Sequence, residues 1–330
     1  MENKHCYISN EELLEGNSSV EHIIPNALGG RLKSSKLLTE KSNNDLGQTI
    51  DVALTKLINL MSLLDFKRDR GNPPNLHGKD SNGIWYKIID KKTAKQIPRE
   101  PKIFTDENGK EVWEFVEGQE NQILKAYKKK HPEADIEELR KQITYKDINK
   151  ENVVFFENHL SVISGIDAYR GVAKIAINYY VHTRGESYFC KPAIDFIMGQ
   201  TKEKGFVQYY YPRKDICTTH NDEVSHVLHL VGDYSEQMLY CYIELFNTHN
   251  FVVVLNKDYN GPNFKSTYAY DLVQQSEIEK NVDLYINRND INGLECPGPS
   301  NLEGLYFEKL EKLSKVCDFK IEHKTIETSD

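Results

Sequence analysis

A chain of 330 residues that is 39% apolar, with 19 Tyr and 13 Phe, is long enough for two domains and can fill their cores, which excludes a disordered protein. Its 42 basic against 50 acidic residues, a net charge of −8, exclude general coating of nucleic acid, which relies on clustered Lys and Arg. No apolar run approaches the length of a membrane span, the N-terminus lacks the form of a signal peptide, and Cys6, Cys190, Cys217, Cys241, Cys296 and Cys317 are too scattered for a disulfide scaffold. A cytoplasmic protein with free thiols and no membrane partner is expected.

Residues 5–8 and 19–24 read as short strands, and Leu28-Gly29-Gly30 as a reversal where a side chain would obstruct the turn. Ser42 is the expected N-cap of a helix with Leu46, Ile50, Leu54, Leu57, Ile58, Met61 and Leu64 at a 3.6-residue spacing. Lys67, Arg68 and Arg70 mark its C-terminal end, where cations complement the helix dipole; a DNA phosphate contact is the functional alternative. Residues 1–70 carry nine basic and ten acidic residues, so most of the acidic excess lies downstream and a local basic groove remains open.

The breaker-rich stretch 71–83 reads as a linker. Beyond it, Trp85–Ile89, Ile103–Phe104 and Val112–Val116 suggest an antiparallel meander, followed by polar helices at 119–131 and 133–143. Lys125, Lys128, Lys129 and Lys130 fit a solvated helix face better than a nucleic-acid contact. A helix over Asp167–His182 presents Val172, Ile175, Ala176 and Tyr179, and Cys190–Met198 reads as another. Phe206–Tyr211, Ser225–Val231, Met238–Phe246 and Phe251–Leu255 read as strands before a final helix, Leu302–Val316. Tyr209-Tyr210-Tyr211 is expected to be core. The fold class is therefore α+β, with a module at 1–70, a linker at 71–83 and a mixed domain at 84–330, for which recognition and regulation are open roles.

The chemistry concentrates in Glu21-His22-Ile23-Ile24-Pro25, Leu28-Gly29-Gly30 and Asn43-Asn44-Asp45-Leu46-Gly47. A carboxylate and an imidazole at a strand end, with amides opening a helix, can hold one hard divalent ion beside one general base. Over roughly residues 5–65 the chain resembles the HNH endonuclease family in its ββα-metal form, in the branch patterned Glu-His-Ile-Ile-Pro, Leu-Gly-Gly, Asn-Asn-x-x-Gly. The resemblance implies that Glu21 and Asn43 bind Mg²⁺ or Mn²⁺ and that His22 activates water; Asn44 and Asp45 are near enough to Asn43 to act as alternates, though Asp45 also suits the helix dipole, and Arg68 is a secondary candidate for the phosphate contact. It also implies a metal-dependent endonuclease on DNA, with RNA as the other substrate class and defence against phage or plasmid DNA as a role. The competing reading is a degenerate nuclease that binds nucleic acid, a nucleotide signal or a protein.

Two departures from the family accompany this. Where many relatives carry two Cys-x-x-Cys pairs around a structural zinc, this chain has Cys6-x-x-Ser9 and Thr39-x-x-Ser42, and Ser34-Ser35-Lys36 stands where a bracing asparagine is common. One thiol does not make a tetrahedral zinc site, so no structural zinc is expected. Cys217-x-x-His220 followed by His226-x-x-His229 carries zinc ligand types, but residues three apart in a strand face opposite ways, which favours packed histidines.

Overall fold

The computed structural model describes residues 4–58, 76–79, 85–88, 94–107, 109–144, 165–201, 206–211, 216–220, 222–289 and 299–316. The chain divides into two compact units, one made of Met1–Pro74 with Leu160–Asp330 and the other of Asn75–His159. This differs from the expected single boundary at 71–83, because residues 160–330 cluster with the N-terminal segment rather than with 84–159. The supposed linker also contributes a strand.

In the first unit, strand β1 (Glu21–His22) pairs antiparallel with β2 (Lys33–Ser34). Helix α1 (Glu40–Leu46) follows, then a π turn (Gly47–Asp51) and helix α2 (Val52–Leu57). The helix cap is Thr39 and not Ser42: the Thr39 hydroxyl accepts from the Ser42 N–H at 3.3 Å, and that places Ser42 inside the first turn. The expected strand at 5–8 is a single bridge between His5 and Glu12. Leu60, Met61, Leu64, Lys67, Arg68 and Arg70 lie outside the described residues.

The second unit holds a sheet of β3 (Leu76–Lys79), β4 (Trp85–Ile88) and β5 (Ala94–Gln96), a separate hairpin of β6 (Lys102–Thr105) and β7 (Glu111–Glu114), and helices α3 (Glu120–Lys130) and α4 (Ile136–Lys141). The expected single meander is thus two pieces. On α3, Lys128 donates to the Ala134 carbonyl and Lys130 pairs with Glu111, which commits part of that basic run within its own unit.

The first unit continues with α5 (Gly165–Arg184), α6 (Lys191–Ile197), and strands β8 (Val207–Tyr209), β9 (Ser225–Asp233), β10 (Met238–Leu245), β11 (His249–Asn256), β12 (Phe264–Asp271) and β13 (Ser276–Glu277). Helix α7 (Pro299–Val316) closes the described chain. The strands form one antiparallel sheet in the order β13-β12-β9-β10-β11-β8. Strand periodicity sorts its faces. Leu239, Cys241, Ile243 and Leu245 of β10 join the core shared with α5, α6 and the N-terminal segment, while Met238, Tyr240 and Tyr242 pack under Ile216, Val282, Leu284 and Ile286. Tyr209 and Tyr211 lie in the first core and Tyr210 against the second.

Helix α5 is the strut between the sheet and the N-terminal segment. Val172, Ala173, Ala176, Ile177 and Tyr180 are buried along it, in one core with Ile23, Leu37, Leu46, Ile50 and Leu54. The approach to α2 is close enough to require glycine: a Cβ on Gly171 would stand 2.7 Å from Leu54 Cβ and 2.8 Å from the Ile50 carbonyl oxygen.

Candidate active site

The loop between β1 and β2 owes its shape to two glycines. Gly29 sits at φ 83°, the left-handed region that L side chains avoid, and a Cβ on Gly30 would overlap the Ile24 carbonyl. The loop is fastened from the sheet by His226 of β9, whose Nε2 lies 2.8 Å from the Leu28 carbonyl oxygen while its Nδ1 accepts from the Phe246 N–H at 3.3 Å. Those two contacts fix the tautomer: Nε2 carries the proton and donates to Leu28. Burial holds His226 down at about 4 against an ordinary 6.5, so the ring is neutral at physiological pH.

Glu21 and His22, adjacent in β1, leave the strand on opposite faces, and each keeps less than a tenth of its exposure. Asn43, in the first turn of α1, donates from Nδ2 to Ser19 Oγ at 2.7 Å and hydrogen-bonds the Glu21 carboxylate. Both bonds use the amide nitrogen, the only donor the side chain has, and so neither engages Oδ1. Glu21 and Asn43 are thereby brought together. Asn44 and Asp45 lie exposed on α1, and Arg68 is outside the described residues.

Three further groups, none of them singled out in the sequence as site residues, complete the surroundings of Glu21. The Lys174 ammonium of α5 is 2.7 Å from Glu21 Oε1 and 2.7 Å from Asp51 Oδ2, and it is 2% exposed. Asn178, one turn along α5, directs Nδ2 at Glu21 Oε1 (3.5 Å) and accepts the Tyr7 hydroxyl at 2.7 Å. Burial pushes the Glu21 carboxyl up, and Lys174 opposes this without offsetting it. Burial also works against the ammonium, but Asp51 and Glu21 outweigh it and raise the Lys174 pKa, so the lysine is charged.

The π turn explains how Asp51 reaches this place. Eight residues separate Asn43 from Asp51, which would set them about 80° apart around a regular helix; the extra residue of a π turn removes one step of about 100° and leaves roughly 20°. Both then face Glu21. The Thr49 hydroxyl donates to the carbonyls of Asp45 (3.0 Å) and Leu46 (3.3 Å), satisfying acceptors in the widened turn.

The four positions aligned with zinc cysteines also meet, as a hydrogen-bonded cluster. Cys6 Sγ is 3.5 Å from Ser42 Oγ and 3.9 Å from Thr39 Oγ1, Thr39 Oγ1 donates to Ser42 Oγ at 3.1 Å, and the Ser9 N–H points at Cys6 Sγ at 3.5 Å. Burial would push the Cys6 thiol up, but hydrogen bonding with Ser42 and Ser9 brings it down to about 7. This donor set does not suit zinc, since three hydroxyl-bearing or main-chain partners replace three thiolates. The downstream Cys/His constellation is dispersed: Cys217 lies against Glu244 with its thiol pushed by burial up to about 12, His226 faces Leu28, and His229 faces Thr267 at 2.8 Å.

Residues 6–59 match the family model described as HNH endonuclease. That segment is an HNH-family module. No curated protein and no solved structure matches the chain. The HNH match covers Glu21, His22, Asn43 and Asp51 but stops over a hundred residues short of Lys174 and Asn178, so part of this site's lining comes from chain outside the matched segment. Among the described residues no group of three or more His, Cys, Asp or Glu side chains converges on a metal position. No described helix is long and apolar enough to cross a membrane.

Proposed function

We propose that the protein is an endonuclease that hydrolyses phosphodiester bonds in DNA, with His22 as general base. The observation that carries this reading is the pairing of Glu21 with a fixed Asn43 amide inside the HNH segment, with His22 following Glu21 in β1. The donors are oxygens of one carboxylate and one amide, a hard set that fits Mg²⁺ or Mn²⁺, which retains waters and needs few protein ligands. When bound, such an ion would neutralise charge on the phosphate and on the leaving oxygen. The chain's own part is to orient Asn43 through Ser19, to hold Glu21 through Lys174 and Asn178, and to take a proton from water on the His22 imidazole, the side-chain type that most often serves as a general base.

Supercoiled plasmid and a structured RNA, each incubated with Mg²⁺, Mn²⁺ or EDTA, test the reading. Cleavage that requires metal is expected, with His22→Ala lowering the rate by about 10²–10⁴-fold while leaving the melting temperature unchanged. Cleavage by His22→Ala at the wild-type rate would assign the base elsewhere. A second reading, a binding module built on a spent nuclease, is favoured by the ammonium already seated on Glu21; retention of DNA in a gel-shift assay without cleavage under any metal would establish it. Defence against phage or plasmid DNA follows as the role for an active DNA nuclease, and lower plasmid transformation of cells expressing wild type than of cells expressing His22→Ala would support it.

A further inference from the structure

We propose that the Lys174 ammonium occupies a cation site built from Glu21 and Asp51, and acts there as a resident competitor that weakens divalent-metal binding at Glu21. The inference rests on the reading of Glu21 as a metal ligand and adds a determinant of metal affinity contributed by α5.

Four observations support it. Two carboxylates from separate elements, β1 and the π turn, converge on a single nitrogen at 2.7 Å each, the arrangement in which two acids share one cation. That nitrogen is carried by a residue 2% exposed in the middle of α5, flanked by buried Ala173 and Ile175, so it cannot swing away to solvent as a surface lysine would. Asp51 Oδ1 is buried and has no hydrogen-bond partner among the described residues, leaving acceptor capacity that one ammonium does not use. Finally, the surroundings are neutral hydrogen-bonding groups, Asn178, Tyr7 and Asn43, and the charge balance is set by Glu21, Asp51 and Lys174 alone among the groups these contacts bring together.

The consequence for metal binding has a definite sign. A divalent ion on Glu21 would be a close neighbour of the ammonium, and like charges a few ångströms apart in a partly buried place repel strongly. Replacing Lys174 by a neutral side chain of similar length removes the repulsion and leaves two acids facing each other with no cation between them. Such a pair has a stronger demand for a divalent ion than the wild-type site. Conversely, neutralising Asp51 leaves Glu21 as the sole acid on Lys174, so Glu21 is held more tightly by the ammonium and less available to metal.

The test measures Mn²⁺ and Mg²⁺ binding to the full chain by calorimetry and by metal-dependent thermal shift, without any cleavage readout. Lys174→Met is expected to bind Mn²⁺ about tenfold or more tightly than wild type and to gain more melting temperature from it; Asp51→Asn is expected to bind more weakly than wild type. In Lys174→Met/Glu21→Gln the gain disappears. If Lys174→Met is unfolded without metal, refolding on addition of Mn²⁺ supports the proposal. Lys174→Met that binds Mn²⁺ no more tightly than wild type, or stays unfolded in its presence, overturns it, as does Asp51→Asn with wild-type or tighter binding. Plasmid cleavage by the wild type, run in parallel, separates the two ideas: metal-dependent cleavage with an unchanged Lys174→Met affinity sinks only the competitor, whereas no metal binding by any of the proteins sinks the metal-ligand reading of Glu21 with it.

Discussion

The contact between α5 and the HNH helix turns on Gly171, and Gly171→Ala sets two effects of opposite sign against each other. In the interior of α5, Ala in place of Gly should stabilise by about 1 kcal/mol through helix propensity. Against this, the new methyl would lie 2.7 Å from Leu54 Cβ and 2.8 Å from the Ile50 carbonyl oxygen. The Ile50 carbonyl belongs to the π turn and cannot rotate aside like the end of a flexible side chain, so relief requires moving α2 away from α5. Overpacking of this kind costs about 1–3 kcal/mol, and since the partner is backbone the upper part of that range applies. The net expectation is a loss of about 1–2 kcal/mol, or roughly 2–8 °C for a unit of this size. Gly304 supplies the control: it lies exposed in α7 with nothing within 4 Å of an added Cβ, so Gly304→Ala should stabilise by about 0.5–1 kcal/mol. Urea melts followed by circular dichroism suit the comparison, because both tryptophans, Trp85 and Trp113, lie in the other unit and their fluorescence would follow that unit. If Gly171→Ala proves as stable as Gly304→Ala, the close approach of α5 to the HNH helix is refuted.

Acid should loosen the first unit through His226: its folded pKa of about 4 lies below the ordinary 6.5, so the unfolded chain binds more protons between those values. Stability is complete above about pH 6.5 and falls toward pH 4, by roughly 3 kcal/mol from this group alone; an unchanged urea midpoint between pH 7.5 and pH 4.5 would contradict this. Ser9→Cys, Thr39→Cys and Ser42→Cys together should place three thiols around Cys6, four in all, and bind one equivalent of zinc that survives dialysis and raises the melting temperature; a triple variant free of zinc after refolding with the metal would show that the cluster cannot take tetrahedral geometry. Residues 1–70 expressed alone should lack a cooperative transition, since the core around Ile50 and Leu54 is completed by α5; melting at the full-length temperature would show the segment to be autonomous.

Much of this fold is legible in the sequence where a signal is local. The α5 stripe of Val172, Ile175, Ala176 and Tyr179 is buried as its spacing implies, and all four expected late strands match β8, β9, β10 and β11 within two residues at each end. The Glu21–Asn43 pairing is legible too, through the motif. Strand β12 is missed because Phe264–Asp271 mixes Lys, Ser, Thr and Asp with aromatics and buries only three of its eight residues, so its apolar signal is thin. The cap at Thr39 is missed because Thr39 and Ser42 are chemically equivalent choices, and only the fold decides which lies one turn earlier. Lys174 is the instructive loss: a lone lysine in a helix ordinarily marks the solvated face, and its burial is dictated by acids at 21 and 51, more than a hundred residues away. The signal available was its flanks, apolar on both sides in Val172-Ala173-Lys174-Ile175-Ala176, which leave no polar face for it to occupy.

The order of the chain gives the Lys174 contact a place in time. Glu21 is synthesised 153 residues before Lys174, and the whole of Asn75–His159 is made in between. At about 5–20 residues per second, the interval is roughly 8–30 s. Throughout it the nascent HNH segment lacks α5, the sheet that fastens Leu28, and the ammonium that pairs with its two acids. The surroundings of Glu21 are therefore completed last, so a ribosome that stalls early releases a fragment without the parts that shape the site.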